Sequence, residues 1–441
     1  MLSFLDKLRK KKRCFIVKKT ALFCEGTSIT MNANSSSQHQ QRQLVIHPDF
    51  RLLYVPKHGN DTMTIIRPHA NLYHRRRLMQ RSTGELAFYA VSHVWGNAGD
   101  MWDVGSFIHE NGRPVKPIPM RPEKRSTLLA LLRAHPDSYW WIDVLCARVD
   151  TPLVIMRDIY AHCNSCIILL DCHPNTIQRL SDPCIEKMWN AINSIRDAYA
   201  FGSHSHATTQ VIEFARIYQT ELDALSTLSH CQWWNRVWTW QEVVLPGWGF
   251  MLAEQSGEGE IHHVVDLFAL KEMARMIHEM SYSFNAESEI VSLFRGTPQL
   301  HKMWNELSTR AVDTGHPVMV KTKLDNNNCS PLDLLFMFAQ SSRRCMDPTD
   351  YVYGVLGLLQ MDIPRMHDPR AVWAHFLSQV EDLVASSSHD HHLCHYRSGI
   401  HIPTITLSKR AKKFDLSKAN NMADVYDGLL YVEYTSSLQD T

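Results

Sequence analysis

Three short apolar segments, separated by stretches of helical periodicity, dominate the first half of the chain. They read FYAVSHVWG from Phe88, YWWIDVLC from Tyr139 and CIILLD from Cys166. Each is rich in β-branched or aromatic residues, which is typical of strands buried on both faces. Residues 121–133 and 154–163 lie between them and carry apolar side chains at helical spacing. This order predicts a parallel sheet covered by helices, with strands near residues 88–95, 139–145 and 166–171.

Changes of composition divide the chain into four predicted parts. These are a basic and low-complexity N-terminal segment (1–43), an α/β domain that opens with a small hairpin (44–255), a helical region (256–380) and a partly irregular C-terminal tail (381–441). Within the first part, residues 27–43 are polar and predict a linker. Within the second, apolar stripes predict helices from Asp182 to near Gly202 and over 211–228, followed by a strand near 248–253.

The segment 233–246, WWNRVWTWQEVVLP, carries four of the 12 tryptophans of the chain. Its pattern predicts one helix that is capped by Asn235 and stops before Pro246. Trp234, Trp238 and Glu242 then share one face. Two interpretations of Glu242 are open. It pairs at the rim with Arg236 or a lysine, or it points into a pocket lined by tryptophan, where burial raises its pKa and suits it to acid–base or electrostatic work.

Polar residues at the ends of the first two strands are further candidates. Ser92 and His93 are adjacent on a strand, so their side chains point to opposite faces and cannot form a nucleophile–base pair. Asp143 lies in the C-terminal part of the second apolar segment. It either lines a ligand crevice, which open α/β sheets form at the carboxyl ends of their strands, or caps a loop.

Charge and cysteine usage narrow the class of protein. Lys plus Arg is 46 and Asp plus Glu is 45, so the net charge of +1 gives no general attraction to nucleic acid or membrane. No apolar run approaches the roughly 18 residues of a membrane span. The 11 scattered cysteines indicate reduced thiols in a cytoplasmic protein. The basic run from Lys7 to Arg13 leaves a nuclear address as the alternative, although a solvated tail is the simpler interpretation.

Familiar motifs for cofactors and metals are missing from the sequence. It contains no GxxxxGK[ST], GxGxxG, GxSxG or HExxH motif. Four histidines and a cysteine crowd into residues 389–395, but their spacing fits no closed tetrahedral site within one segment. We therefore predict no metal site and no certain cofactor.

Four segments, in order, resemble the HET domain of fungal heterokaryon-incompatibility proteins. Residues 88–96 are similar to its opening Y-x-A-L-S-Y-x-W-G, 139–146 to its W-I-D-x-L-C-I-N-Q, and 233–246 to its W-x-x-R-x-W-x-x-Q-E. Residues 347–359 resemble a D-P-R-D-x-V-Y-x-L-L-G-L stretch that often follows. The chain departs from the pattern after Cys146, where Ala147, Arg148 and Val149 stand in place of an apolar residue, Asn and Gln.

The resemblance implies a flavodoxin-like and TIR-like α/β fold. It also implies a role in non-self recognition that leads to the death of fused cells, with a second copy or another incompatibility factor as the protein partner. Some TIR domains cleave NAD with a glutamate, and Glu242 is the corresponding candidate for catalysis, which makes NAD a possible substrate. Ligand-binding candidates on the family's motifs are Ser92, Trp95, Gly96, Asp143, Arg236, Trp238 and Gln241. A nucleic-acid function using Lys7 to Arg13 is disfavoured by the neutral remainder.

Two geometric predictions follow from the topology and from helix electrostatics. Ser92, Trp95, Asp143, Trp238 and Glu242 should converge on one cleft at the carboxyl ends of the strands. Arg236, in the first turn of the predicted helix, should have a carboxylate such as Asp143 as a salt-bridge partner, because the helix dipole disfavours an unpaired cation there.

Overall fold

A computed structural model describes residues 35–58, 62–79, 88–97, 99–148, 150–200, 204–256, 261, 263–283, 331–387 and 404–433. The basic run from Lys7 to Arg13 and the histidine-rich segment 389–395 therefore lie outside the described residues. The departure from the family pattern is described only at Ala147 and Arg148.

The strands form one large sheet and two small ribbons. In chain order they are β1 Leu52–Val55, β2 Met63–Ile66, β3 Phe88–His93, β4 Met101–Trp102, β5 Phe107–His109, β6 Ile118–Pro119, β7 Ser138–Ile142, β8 Ser165–Leu170, β9 Gly249–Ala253, β10 Val265–Asp266, β11 Thr404–Leu407 and β12 Leu430–Glu433. The large sheet has eight strands in the order β10-β9-β8-β3-β7-β1-β2-β5. Strands β4 and β6 pair with each other, as do β11 and β12.

Four parallel strands, in the order β9-β8-β3-β7, form the centre of the large sheet. The chain runs from β3 to β7 on one side and then returns to β8 on the other, which is the strand order of flavodoxin-like folds. The switch of direction therefore lies at the carboxyl end of β3. Every residue of β3 and β8 is buried, which explains their continuous apolar pattern. The three predicted strands and the predicted strand near 248–253 are confirmed.

Helices fill most of the remaining chain. In chain order they are α1 Ser35–Ile46, α2 Leu72–Met79, α3 Pro122–Arg133, α4 Asp143–Cys146, α5 Leu153–His162, α6 Pro174–Arg179, α7 Asp182–Ala200, α8 His204–Ile217, α9 Gln219–Ser229, α10 Thr239–Val244, α11 Leu267–Ser283, α12 Pro331–Phe338, α13 Asp350–Leu359, α14 Pro369–Ser387 and α15 Met422–Tyr426. The predicted α/β fold, with helices around the sheet and a helical C-terminal region, is confirmed. The search for membrane spans found no helix in the described part that is long and apolar enough to cross a bilayer.

The C-terminal helices pack directly on the sheet domain. Helix α13 contacts both α5 and α10, and its Gly354 lies against Val237, where an added Cβ would be 2.5 Å from a valine methyl. The hydroxyl of Tyr426 in α15 donates a hydrogen bond to the Tyr351 carbonyl at 2.7 Å. Helix α14 runs through residue 380, where the sequence placed a boundary, and contacts β11 beyond it.

Several predicted boundaries are wrong for local reasons. Residues from Ser35 onward form α1, so this part of the predicted polar linker is helical. The helix predicted over 211–228 is two helices, separated at Tyr218. Strand β7 ends at Ile142, so Asp143 begins α4 rather than lying on the strand.

The predicted helix in the tryptophan-rich segment is also interrupted. A single turn of 3-10 helix spans Gln232–Asn235, and α10 begins only at Thr239. Arg236 between them is extended, with φ −92° and ψ 137°. Asn235 therefore caps no long helix, and Trp234 and Glu242 do not share the face of one.

Among the described residues, no two cysteines are joined by a disulfide bond. Cys163 and Cys166 form a Cys-x-x-Cys pair in the sequence, and both are buried, Cys163 directly after α5 and Cys166 in β8.

Substituting Gly354 tests the close packing of α13 on the tryptophan-rich segment. We expect Gly354→Ala to lower the free energy of unfolding, because the new methyl group meets the stiff side chain of Val237. Overpacking of this kind costs about 1–3 kcal/mol, which exceeds the gain of about 1 kcal/mol in helix propensity. Gly105→Ala, with open space around the glycine, is the matched control. Equal stability of the two variants in urea unfolding would contradict the packing.

Candidate functional site

A buried hydrogen-bond chain lies at the carboxyl end of β3. The hydroxyl of Ser92 donates to Oε2 of Glu242 and accepts a hydrogen bond from the indole nitrogen of Trp233 at 2.6 Å. All three side chains are buried. The chain thus connects the central strand to both halves of the tryptophan-rich segment. Its position coincides with the switch of strand order, where open α/β sheets bind ligands.

Glu242 is buried and easily protonated. Only 5% of the residue is exposed. Burial is the main cause that raises its pKa from 4.5 to about 7, and the nearby Asp143 adds to the rise, whereas Arg236 and the Ser92 hydroxyl act in the opposite direction. Burial and a raised pKa agree with the second of the two interpretations of Glu242, in which the side chain points inward, and not with the pairing at the rim. The Tyr160 hydroxyl, buried without a normal hydrogen bond to any described residue, also faces this carboxyl group.

Asp143 has the opposite character. Its Oδ1 lies 3.0 Å from Nε2 of His93 and accepts the backbone N–H of Val144 at 2.7 Å, while the indole of Trp95 donates to Oδ2. Burial opposes ionisation of Asp143, but His93, Trp95 and the more distant Arg236 together hold its pKa below the ordinary value. Asp143 therefore carries a negative charge at neutral pH.

The two carboxyl groups at this end of the sheet thus differ in protonation near pH 7. Glu242 exchanges a proton in that range, and Asp143 stays ionised. Pairs of carboxyl groups whose environments push their pKa values apart are typical of acid–base chemistry. They are also found in structural networks, so this contrast identifies a candidate site and not yet an activity.

Arg236 links the two carboxyl groups without an ion pair. Its Nη1 donates to the main-chain carbonyl of His93 at 2.7 Å. From there the guanidinium lowers the pKa of both Asp143 and Glu242. The predicted salt-bridge partner is wrong, because Arg236 makes no ion pair with any described residue and its contact is a carbonyl. The prediction assumed a first-turn position, whereas Arg236 lies in the extended break before α10.

A buried lysine completes the other face of β3. Lys124 has no exposed surface and donates to the carbonyl of Val94, with its Nζ 3.3 Å from Nδ1 of His93 and 3.6 Å from the Glu254 carboxylate. Burial lowers its pKa to about 8. His93 thus lies between a carboxylate and a lysine, and both contacts orient its ring.

The remaining predicted residues occupy other surroundings. Trp238 donates a hydrogen bond to Asp350 of α13. The Gln241 side-chain oxygen lies beside Gly357 of the same helix. Gly96 is close to the backbone of Met120 and Arg121, where an added Cβ would be within 2.9 Å of both nitrogens. The structure therefore pairs Ser92 with Glu242 and Trp95 with Asp143, with Arg236 close enough to act on both carboxyl groups. Trp238 and Gln241 contact α13 instead.

Sequence reasoning missed Trp233, Lys124 and Tyr160, and it considered His93 only as a partner of Ser92. Lys124 carried a usable signal, since it lies on the same helical stripe as Leu128 and Leu131. A charged residue on an apolar stripe needs a buried partner. Trp233 had no such signal, because the assumed helix placed Trp234 on the face of Glu242 instead.

Comparison with known proteins identifies the matched region. Residues 88–242 match the family model of the heterokaryon incompatibility protein (HET). The match begins at the first residue of β3 and ends at Glu242, and it covers less than half of the 441 residues. No curated protein and no solved structure matches the chain.

The described residues also bear on metal binding. No group of three or more His, Cys, Asp or Glu side chains among them is arranged to hold a metal ion. At the end of β3, Asp143 and Lys124 both contact the His93 ring, and Glu242 accepts a hydrogen bond from Ser92.

Glu242 should make stability depend on pH with a defined sign. Because its pKa is about 7 in the folded chain and 4.5 ordinarily, the folded chain holds a proton that the unfolded chain has lost between these values. This contribution is complete below about pH 4.5 and disappears as pH rises through 7, a change of about 3 kcal/mol. We expect the free energy of unfolding to fall by this order relative to Glu242→Gln over that range. Parallel pH curves for the two proteins would show that Glu242 is not abnormally protonated.

Proposed function

We propose that this chain acts in fungal heterokaryon incompatibility, in a non-self recognition response that triggers cell death through a TIR-like module. The HET family match over residues 88–242 supports the biological role. The strand order β9-β8-β3-β7 supports the module, because it is flavodoxin-like. The observation that carries the proposal is the bond from Ser92 to Glu242, which joins the beginning and the end of the matched segment.

The partner in this proposal is a protein. A second copy of the chain or another incompatibility factor would engage the module in the cytoplasm. Trp95 supports an exposed contact next to the buried network, because 47% of it is exposed while its indole is held by Asp143. A partner that covers Trp95 would therefore act directly on the Asp143–His93 pair.

A second candidate function is the cleavage of NAD in the same domain. The specific observation in its favour is the pair of carboxyl groups with diverging pKa values at the carboxyl end of β3. In this reaction the bond between the ribose C1′ and the nicotinamide nitrogen breaks, and its electron pair leaves with nicotinamide. Water then adds to C1′ and loses a proton, which gives ADP-ribose. An ionised Glu242 would stabilise the positive charge that develops on the ribose, and Trp95 would stack on a ring.

The burial of Glu242 limits how a substrate can reach it. Glu242 is 5% exposed, so a substrate has to approach past the more exposed Asp143 and Trp95. Arg148, which replaces an amide of the family pattern, is paired with Asp150 at 2.8 Å on the surface and does not enter the network. We therefore assign Arg148 to the rim rather than to the reacting group.

Expression in fungal cells tests the incompatibility function. We expect the full chain to reduce viability when its partner is present and Glu242→Gln to abolish this effect, because the variant retains the shape but loses the ionisable group. Glu213→Gln, an exposed glutamate of α8, is the matched control and should behave as wild type. Thermal unfolding of the purified variants separates loss of output from loss of fold. Full killing by folded Glu242→Gln would refute the role of this residue.

Nicotinamide release from NAD by the purified chain tests the second function. If Glu242 acts in its ionised form, the rate should rise with pH through about 7, and Glu242→Gln should lower it by at least tenfold across the range. No release by a chain that kills cells would leave the incompatibility function and exclude NAD cleavage. A rate that is unchanged in Glu242→Gln would place the chemistry elsewhere.

A further inference from the structure

The break in the tryptophan-rich segment is held from outside the matched family region. The backbone N–H of Arg344 donates to the Asn235 carbonyl at 2.6 Å, and the N–H of Val237 donates to the Arg344 carbonyl at 3.2 Å. These two bonds form a parallel bridge around Arg236. The adjacent Arg343 is 107 residues further along the chain than Arg236, so the bridge is a tertiary contact.

Arg343 reinforces the same break with its side chain. Its Nη1 donates to the Arg236 carbonyl at 2.7 Å and to the hydroxyl of Thr239. Its guanidinium lies 5.2 Å from the ring centroid of Trp240, and the residue has no exposed surface. The Arg343 carbonyl accepts the backbone N–H of Met422 at 2.9 Å, which anchors it to α15. The buried guanidinium of Arg343 therefore hydrogen-bonds to the backbone at the point where the helix is interrupted.

The break decides where the Arg236 side chain lies. The local sequence alone favours one continuous helix over this segment. In such a helix Arg236 would follow the helical path, and its guanidinium would leave the His93 carbonyl. In the extended conformation the 2.7 Å bond to that carbonyl holds the guanidinium close to Glu242 and Asp143.

We infer that Arg343 is a positioning residue, which acts through the backbone of Arg236 to keep the Arg236 guanidinium at the Glu242 and Asp143 carboxyl groups. The position of the Arg236 charge within the matched region 88–242 then depends on Arg343, which lies outside that region. The consequence for output rests on the role proposed for Glu242. The inference itself concerns only geometry and charge, so the two can fail separately.

The titration of Glu242 in the full-length chain tests this inference directly. The groups that face this carboxyl are Ser92, Asp143, Tyr160 and Arg236. The infrared band of the protonated carboxyl is assigned to Glu242 by its loss in Glu242→Gln. Because Arg236 lowers the pKa of Glu242, both Arg236→Gln and Arg343→Lys should raise that pKa above about 7. Lysine keeps the charge of Arg343 but cannot span two acceptors with a planar fork.

The double variant separates positioning from a merely structural role. If Arg343 acts through Arg236, the variant R236Q/R343K should raise the pKa no further than R236Q alone. The neighbouring Arg344→Lys, an exposed side chain whose backbone bonds remain, should leave the titration unchanged. A lower melting temperature in R343K with an unmoved band, or additive shifts in the double variant, would overturn the inference.

A second variant covers the outcome in which Arg343→Lys fails to fold. Thr239→Val has nearly the same shape and removes the hydroxyl that Arg343 contacts. It should shift the band of Glu242 in the same direction as R236Q, and a folded Thr239→Val with an unmoved band would also overturn the inference.

Discussion

The burial of one carboxyl group at the end of the central strand is the constraint on which this structure depends. Glu242 loses its hydration, and a buried ionised carboxylate without partners would cost several kcal/mol. Two features offset this cost. The pKa of Glu242 rises to about 7, so that its carboxyl group is often neutral, and the Ser92 hydroxyl donates a hydrogen bond to it. The indole N–H of Trp233 in turn donates to Ser92, so this tryptophan takes part in the hydrogen-bond network as well as in the apolar core.

The same constraint explains why the surrounding elements are packed as they are. Arg236 moderates the field at Glu242 and Asp143 from a carbonyl of β3, and it can do so only because the segment is extended there. Arg343 and Arg344 hydrogen-bond to the extended stretch, and Gly354 of α13 packs against Val237 next to it. Strand, tryptophan-rich segment and C-terminal helices therefore meet at one place, and a change in any of them reaches the carboxyl group.

The sequence predicts the sheet well because its signals are local. Residues 88–93, 138–142 and 165–170 are apolar on both faces, and such strands belong to the centre of a parallel sheet. The burial of Glu242 was only one of two interpretations, since a carboxylate beside tryptophans can pair at the rim or point into the interior. The resemblance to the HET family named the right stretch of chain for the same reason, because its motifs contain these residues.

The parts that escaped prediction depend on long-range contacts. Helical periodicity favours a continuous helix through Arg236, whereas in the structure this residue is extended and bonded to Arg343 and Arg344, far along the chain. The partner of Arg236 was misjudged as a carboxylate because the break was unknown. Trp238 was expected in the cleft and Gln241 was a ligand-binding candidate, but both contact α13, whose position no local pattern reveals.

A double-mutant cycle between Ser92 and Glu242 tests whether their hydrogen bond joins strand β3 to the tryptophan-rich segment. The free energies of unfolding of Ser92→Ala, Glu242→Gln and the double variant would be measured at one pH near neutrality. We expect a coupling energy of about 0.5–3 kcal/mol between the two substitutions, because both side chains belong to one buried hydrogen-bond network. Additive effects, with a coupling energy near zero, would contradict this. They would show that the bond does not join strand β3 to the tryptophan-rich segment.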